Sequence, residues 1–177
     1  MKTIHINEQF KEDWTRVLNH IANLFYEDSV IQIEQDGSDM SIEFKKAIDE
    51  NYMISTSAKL SVDGQVYTSN YSIQYETEGT EKEQNIRMKR ALSHVMLDVL
   101  EQYSGMVQQW GILTGVRPTK LYHKYRKAGL NDEQIAAVLK QDYRISDQKI
   151  ALMKAIVERQ LTVIPDLDEL GREISIY

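Results

Sequence analysis

The sequence predicts an α+β fold: an antiparallel four- to five-stranded sheet covered on one face by two helices, followed by a small helical segment. Three observations lead to this prediction. Apolar and polar side chains alternate on both sides of Asp63-Gly64, over residues 52–75. A capping-box sequence at Thr80 opens a long helical pattern. Residues 7–26 carry apolar side chains at the spacing of an amphipathic helix.

The first strands of the sheet precede and follow this amphipathic helix. Residues 3–6 (TIHI) alternate in polarity, which predicts a short edge strand. The segments VIQIE (30–34) and MSIEF (40–44) flank an Asp-Gly pair and predict a hairpin. The pairs expected across this hairpin are Ile33 with Ile42 and Ile31 with Phe44.

A second hairpin has its register fixed by its turn. Asp63-Gly64 favours a two-residue type I′ turn between the strands 52–62 and 65–75. Because this register brings the apolar residues of both strands to one face, a slip by one residue would destroy the agreement. The expected pairs are Leu60–Tyr67, Ala58–Ser69, Thr56–Tyr71, Ile54–Ile73 and Tyr52–Tyr75.

Helices account for most of the remaining chain. The capping box of Thr80 and Glu83 begins a helix that runs to about Ser104, where Gly105 ends it. Three shorter helices are expected from Pro118 to about Ala128, from Asn131 through Gln141, and from Ser146 or Asp147 to about Leu161. The final residues, 174–177, alternate like the beginning of a strand.

This pattern divides the chain into three parts. We predict a sheet domain over 1–105, a helical segment with a basic motif over 106–165, and a linker with a first strand over 166–177.

Composition excludes several kinds of chemistry. The 177 residues include no cysteine, which removes disulfides, thiolate nucleophiles and thiolate-bound metals or clusters from this chain. No two histidines have the spacing of a helical zinc pair, and neither G-x-S-x-G nor G-x-G-x-x-G occurs. We therefore expect no catalytic residue and no metal ligand here. No apolar run is long enough to cross a bilayer, and the first residues do not form a secretory signal, so a cytoplasmic protein without a membrane partner is expected.

Charge is distributed unevenly along this acidic chain. The formal net charge is −6, with −9 over residues 1–85, +6 over 86–127 and −3 over 128–177. Between residues 116 and 127 the charged side chains are all basic. The middle third could therefore attract an anion.

The basic segment is the candidate site. Pro118 begins a helix whose N-terminus would present the amides of Thr119 and Lys120 to an anion. The residues predicted to bind a substrate carboxylate, another anion or a neighbouring domain are Arg117, Lys120, Lys124, Thr114 and Gly115. Two structural alternatives stay open: a solvated basic face, and an interface in which Arg117 pairs with a carboxylate of a neighbouring domain.

Two segments resemble a known family. WGILTGVRPTKLYHKY (110–125) followed by LGREISIY (170–177) is similar to the HemZ-type proteins, which are oxygen-independent coproporphyrinogen III oxidase-like (coproporphyrinogen dehydrogenase) members of the radical SAM superfamily. In that family the first segment lies before the catalytic barrel. The residues that match it are Trp110, Gly111, Thr114, Gly115, Arg117, Pro118 and Lys120.

The resemblance implies an accessory role. It predicts a [4Fe–4S] cluster and S-adenosylmethionine in a longer protein, held by three cysteines that would follow Tyr177, and oxidative decarboxylation of the propionates of coproporphyrinogen III. These residues would then form the non-catalytic N-terminal domain, with the radical SAM barrel of the same chain and a carboxylate-bearing porphyrinogen as partners. The alternative is a nucleic-acid- or anion-binding module that uses the basic helix 117–127. Nucleic acid is disfavoured because the surrounding sequence is acidic.

Overall fold

The protein forms two compact units, residues 1–114 and 115–177. The structure, a computed structural model, describes residues 2–7, 10–33, 40–51, 53–74, 80–114 and 117–163.

The first unit is an α+β body, as predicted. Its strands form one open sheet in the order β2-β1-β3-β4-β5, and both helices pack on the same face. The elements are β1 (Thr3–Ile6), α1 (Glu12–Ala22), β2 (Val30–Ile33), β3 (Met40–Ile48), β4 (Met53–Val62), β5 (Gln65–Gln74) and α2 (Glu81–Ser104). The sheet is mixed, because β1 runs parallel to both of its neighbours while β3, β4 and β5 are antiparallel.

The position of β1 corrects two predictions. The edge position predicted for β1 is wrong, because β1 lies between β2 and β3. The hairpin predicted between residues 30–34 and 40–44 is also wrong, since both strands pair in parallel with β1 and therefore cannot face each other. Ile6 stands between the two predicted partners: it pairs with Ile33 on one side and with Ile42 on the other. The crossover that parallel pairing requires is supplied by α1, which joins β1 to β2.

The second hairpin is confirmed in register and in turn geometry. Asp63 and Gly64 both have positive φ angles, 50° and 74°, as a type I′ turn requires. The observed pairs include Leu60–Tyr67, Ala58–Ser69, Thr56–Tyr71 and Ile54–Ile73. The further predicted pair, Tyr52–Tyr75, lies outside the described residues. On the helix-facing side of β4 all five even-numbered residues from Ile54 to Val62 are buried.

The long helix α2 closes the core of the first unit. The capping box is present as predicted: Thr80 accepts a hydrogen bond from the Glu83 amide, and the Glu83 carboxylate accepts one from the Thr80 amide. Gly105 ends the helix in the left-handed region, at φ 72°. The middle of α2 is buried almost without interruption from Ala91 to Leu100. Each fully buried Leu or Val side chain there contributes roughly 1.5–3 kcal/mol of apolar burial.

The described part of the second unit, residues 117–163, forms three helices, all of them predicted. They are α3 (Pro118–Lys127), α4 (Asp132–Tyr143) and α5 (Asp147–Val163). Asn131 caps α4 in a capping box with Gln134, and Arg144 ends that helix in the left-handed region. The buried side chains of this unit are Tyr122, Ile135, Leu139, Ile145, Ile150, Met153 and Val157. The strand predicted at 174–177 lies outside the described residues.

Candidate functional site

The W-G-x-L-T-G-x-R-P motif spans the boundary between the two units. Its first part, from Trp110 to Thr114, belongs to the first unit, where Ile112 packs against the hydrophobic core. Gln108 holds this segment in place, because its side-chain amide donates to the Leu24 carbonyl at 3.0 Å and its backbone N–H donates to the carboxylate of Glu101 at 2.8 Å. The predicted contribution of Thr114 therefore lies in the first unit, and that of Gly115 lies outside the described residues.

The basic residues of the motif lie in the second unit. Arg117 stands at the N-cap position of α3, and Lys120 and Lys124 follow one helical turn apart. With Lys127 these residues occupy a narrow arc of the helix, which we call the basic stripe. All members of the stripe are exposed. Lys124 Nζ lies 5.9 Å from the centre of the Tyr125 ring, so its head group stays near the helix surface.

The helix N-terminus offers less to an anion than the sequence predicts. The backbone N–H of Lys120 donates to the Arg117 carbonyl at 3.1 Å, which closes the first turn of α3. The prediction that this amide is free is therefore wrong. Pro118 supplies no N–H either, so binding would depend mainly on the side chains of the stripe. The first turn carries no acidic residue that would compete for them.

The opposite side of α3 is committed to packing. Tyr122 is 1% exposed, and its hydroxyl donates to Oδ1 of Asp132, the first residue of α4, at 2.9 Å. Lys154 of α5 donates to Oδ2 of the same carboxylate at 3.0 Å, and Arg126 Nη1 lies 4.0 Å from Oδ1. One carboxylate therefore joins all three helices. We call these four residues the Asp132 network.

The contacts within the Asp132 network shift the pKa values of Asp132, Lys154 and Tyr122. The hydrogen bond from Lys154, followed by the one from Tyr122, lowers the pKa of Asp132. The same hydrogen bond with Asp132 raises the pKa of Lys154. Burial, followed by the hydrogen bond to the Asp132 carboxylate, raises the pKa of Tyr122 to about 12. At neutral pH the network therefore holds an ionised Asp132 and an ionised Lys154 beside a neutral Tyr122 hydroxyl.

Two further contacts fix the orientation of α3. Nε2 of His123 lies 2.8 Å from Oε1 of Gln160 on α5, and the hydroxyls of Tyr125 and Tyr143 lie 3.3 Å apart. Tyr122, His123 and Tyr125 thus attach one side of α3 to α4 and α5. The basic stripe lies on the other side of α3. Sequence reasoning located the stripe but missed the Asp132 network. An acidic first-turn residue ten positions after a tyrosine was the available signal, and it is a weak one.

We expect the Asp132 network to give the second unit a pH-dependent stability. Because the folded-state pKa of Asp132 is lowered, its contribution is present above the unfolded-state pKa of about 3.9 and is lost as pH falls through the folded-state value. Asp132→Asn should cost about 1 kcal/mol at pH 7, a value reduced for a side chain that is about one third exposed. The cost should shrink toward pH 3. Urea unfolding at both pH values measures it.

Glu133→Gln is the matched control for this prediction. It removes the same charge from the same first turn of α4, and therefore the same interaction with the helix dipole, without touching Tyr122 or Lys154. An equal loss in both variants at pH 7 would contradict the assignment of the effect to the network.

The residues that the structure describes offer no candidate metal centre. They include no group of three or more His, Asp or Glu side chains that could hold a metal ion. None of the helices in the described part has the length and apolar character that spanning a bilayer requires.

Comparison with known proteins supports the resemblance carried by the motif. No family model matches the chain. Over 164 residues it is 41% identical to the oxygen-independent coproporphyrinogen-III oxidase-like protein HemZ of Bacillus subtilis (strain 168). Over most of its length this chain is a homologue of that HemZ protein. The match covers 92% of the chain and 32% of the relative, so the chain spans about a third of the length of HemZ. The resemblance to HemZ predicted from residues 110–125 and 170–177 is thereby confirmed.

Proposed function

We propose that these residues form a non-catalytic accessory domain of a coproporphyrinogen III oxidase-like enzyme of porphyrin biosynthesis. The observation that carries the proposal is the 41% identity that runs through 92% of the chain. The Asp132 network is in keeping with such a role, because its members bind one another and hold three helices together.

The residues present do not fit a cluster of the family type. Such a cluster is bound by three thiolates, and none of the 177 residues is a cysteine. In this proposal the [4Fe–4S] cluster, the S-adenosylmethionine and the chemistry therefore belong to a barrel outside these residues. This chain would contribute binding and positioning.

The basic stripe gives the proposed domain a role toward substrate. Coproporphyrinogen III carries propionates around its rim, and lysine and arginine side chains recognise carboxylates by charge-assisted hydrogen bonds. Lys120 and Lys124 are exposed, one turn apart, on a helix whose other side is fixed by packing. They could therefore contact a propionate or an acidic surface of the barrel without rearrangement of the fold.

A chimaera tests this proposal. We expect HemZ whose matched third is replaced by this chain to keep most of the conversion of coproporphyrinogen III shown by unmodified HemZ. The chimaera with Lys120→Glu and Lys124→Glu should lose about tenfold in kcat/KM, because the two glutamates would repel the carboxylates that the two lysines are proposed to attract. Lys45→Glu with Lys82→Glu, two exposed lysines of the first unit, makes the same charge change and should stay within about twofold.

The outcomes separate the two parts of the proposal. A folded chimaera without conversion would contradict the domain assignment. Equal losses in the two lysine pairs would contradict the role of the stripe and leave only a general charge effect.

The stripe also supports a second candidate function, binding of a nucleic acid or of another anion. The specific observation in favour is that Lys120 and Lys124 are exposed one turn apart on a helix whose first turn holds no acidic residue. RNA binding by the 177-residue chain that weakens steeply with salt, and is lost with Lys120→Glu and Lys124→Glu, would favour this candidate.

A further inference from the structure

Strand β5 is an unusually open edge of the sheet. In the part of the chain that the structure describes, no strand pairs with its outer side. It runs for 10 residues, QVYTSNYSIQ, without a charged residue or a proline, and its pairing with β4 is continuous from Val62–Gln65 to Met53–Gln74. Edge strands are commonly protected from pairing by lysines, prolines or bulges. None of these devices occurs in β5.

The outward-facing backbone groups of β5 belong to its even-numbered residues. In an antiparallel ladder alternate residues direct both N–H and C=O to the same neighbour. The Tyr71 carbonyl faces β4, where it accepts from the Thr56 hydroxyl at 3.3 Å. The Thr68 carbonyl faces the other way and accepts from the Gln102 side chain at 3.1 Å. Since a carbonyl oxygen has two acceptor sites, Gln102 does not exclude a further strand.

We propose that β5 pairs antiparallel with β5 of a second copy of this chain, with the two-fold axis at Asn70. Outward-facing residues must meet outward-facing residues, and an axis at Asn70 is the arrangement that pairs every one of them from Val66 to Gln74. It places Asn70 opposite Asn70 and Thr68 opposite Ser72, a pair whose hydroxyls can hydrogen-bond across the strands. The sheets of two copies become one continuous sheet.

The side chains of β5 favour a copy of the chain over another partner. A strand that pairs with itself brings identical or nearby residues face to face, so a charge in its middle would be repelled by its own copy. β5 has none. On the helix-facing side the same register places Tyr67 opposite Ile73, both of them half-buried in the single chain, so that pairing removes further apolar surface from water.

A single introduced cysteine tests the pairing directly, since the chain has no other thiol. Asn70→Cys should form a disulfide-linked dimer under mild oxidation, because paired residues at the axis have Cα atoms about 5.5 Å apart, within disulfide reach. Ser41→Cys is the matched control: it lies on the interior strand β3, which is paired on both sides, and it should remain monomeric.

Sedimentation equilibrium of the unmodified chain supplies the second readout. We expect a reversible dimer, and Asn70→Lys should weaken it by about fivefold or more, because two ammonium groups would meet at the axis. Ser41→Lys should leave it unchanged. A monomer at all concentrations, a dimer insensitive to Asn70→Lys, or association that continues beyond two copies would each overturn the proposal. Circular dichroism of every variant checks that the fold is kept.

Discussion

Phe44→Ala is expected to lower the free energy of unfolding of the first unit by about 3–5 kcal/mol. Phe44 lies in β3 and is completely buried. Its ring and the Phe10 ring pack edge to face, with 5.6 Å between the ring centroids and 77° between the ring planes. Its backbone is held separately, by Asn7, which accepts from the Phe44 amide and donates to its carbonyl. The substitution therefore removes the ring and leaves the strand anchored.

The measurement is urea unfolding followed by tryptophan fluorescence, since Trp14 and Trp110 both lie in the first unit. Glu43→Ala is the control, because the Glu43 side chain is half exposed and its ion pair with Lys59 is long, at 3.7 Å. That change should cost less than about 1 kcal/mol. If Glu43→Ala cost as much as Phe44→Ala, the buried ring would not be the main source of stability here.

Tyr122→Ala should destabilise the second unit by a similar amount, about 3–5 kcal/mol, as expected for loss of a buried aromatic side chain. The unit has only seven buried apolar side chains among its described residues, so this loss removes a large part of its core. The change also deprives the Asp132 carboxylate of one donor. Hydrogen exchange of the α3, α4 and α5 amides measures the effect on this unit alone.

Tyr122→Phe separates the two causes. It keeps the ring and removes only the hydroxyl, so it should cost about 1 kcal/mol. Combining it with Asp132→Asn should cost less than the sum of the single changes, because both remove the same hydrogen bond. Strict additivity would show that Tyr122 and Asp132 act independently, against the geometry.

The parts of the fold that local rules determine could be predicted from the sequence. The hairpin of β4 and β5 was predicted to the residue, because a two-residue turn at Asp63-Gly64 and the period of two in both strands agree on a single register. Helices α2 and α4 were predicted because their capping residues, Thr80 and Asn131, satisfy amide groups within one turn of themselves.

The position of β1 could not be predicted in the same way. The alternation of apolar and polar residues in β1 indicates only that one face of the strand is buried. That is equally true of an edge strand and of a central strand. What decides the matter is the pairing of Ile6 with both Ile33 and Ile42, contacts distant in sequence. The hairpin expected for β2 and β3 was wrong for the same reason: the apolar faces agreed, but a third strand lies between them.

The candidate site was predictable only in its charge. Lys120 and Lys124 follow from helical spacing, whereas the Asp132 network depends on how three helices meet. No local pattern specifies that a buried Tyr122 hydroxyl, Lys154 and Asp132 converge on one point. The division of the motif between two compact units is likewise a tertiary property.

The central place of β1 also has a consequence for the order of assembly. Ile4 and Ile6 leave water completely only when a strand has formed on each side of them, and the second of these, Met40–Ile48, follows far later in the chain. Strand β1 therefore keeps one unpaired side until β3 has been made, although every later strand can add to an edge that already exists. Pairing of β3 with β1 joins residues 36 positions apart in the chain, such as Ile4 and Met40, and contacts of this kind slow folding relative to those of a local hairpin.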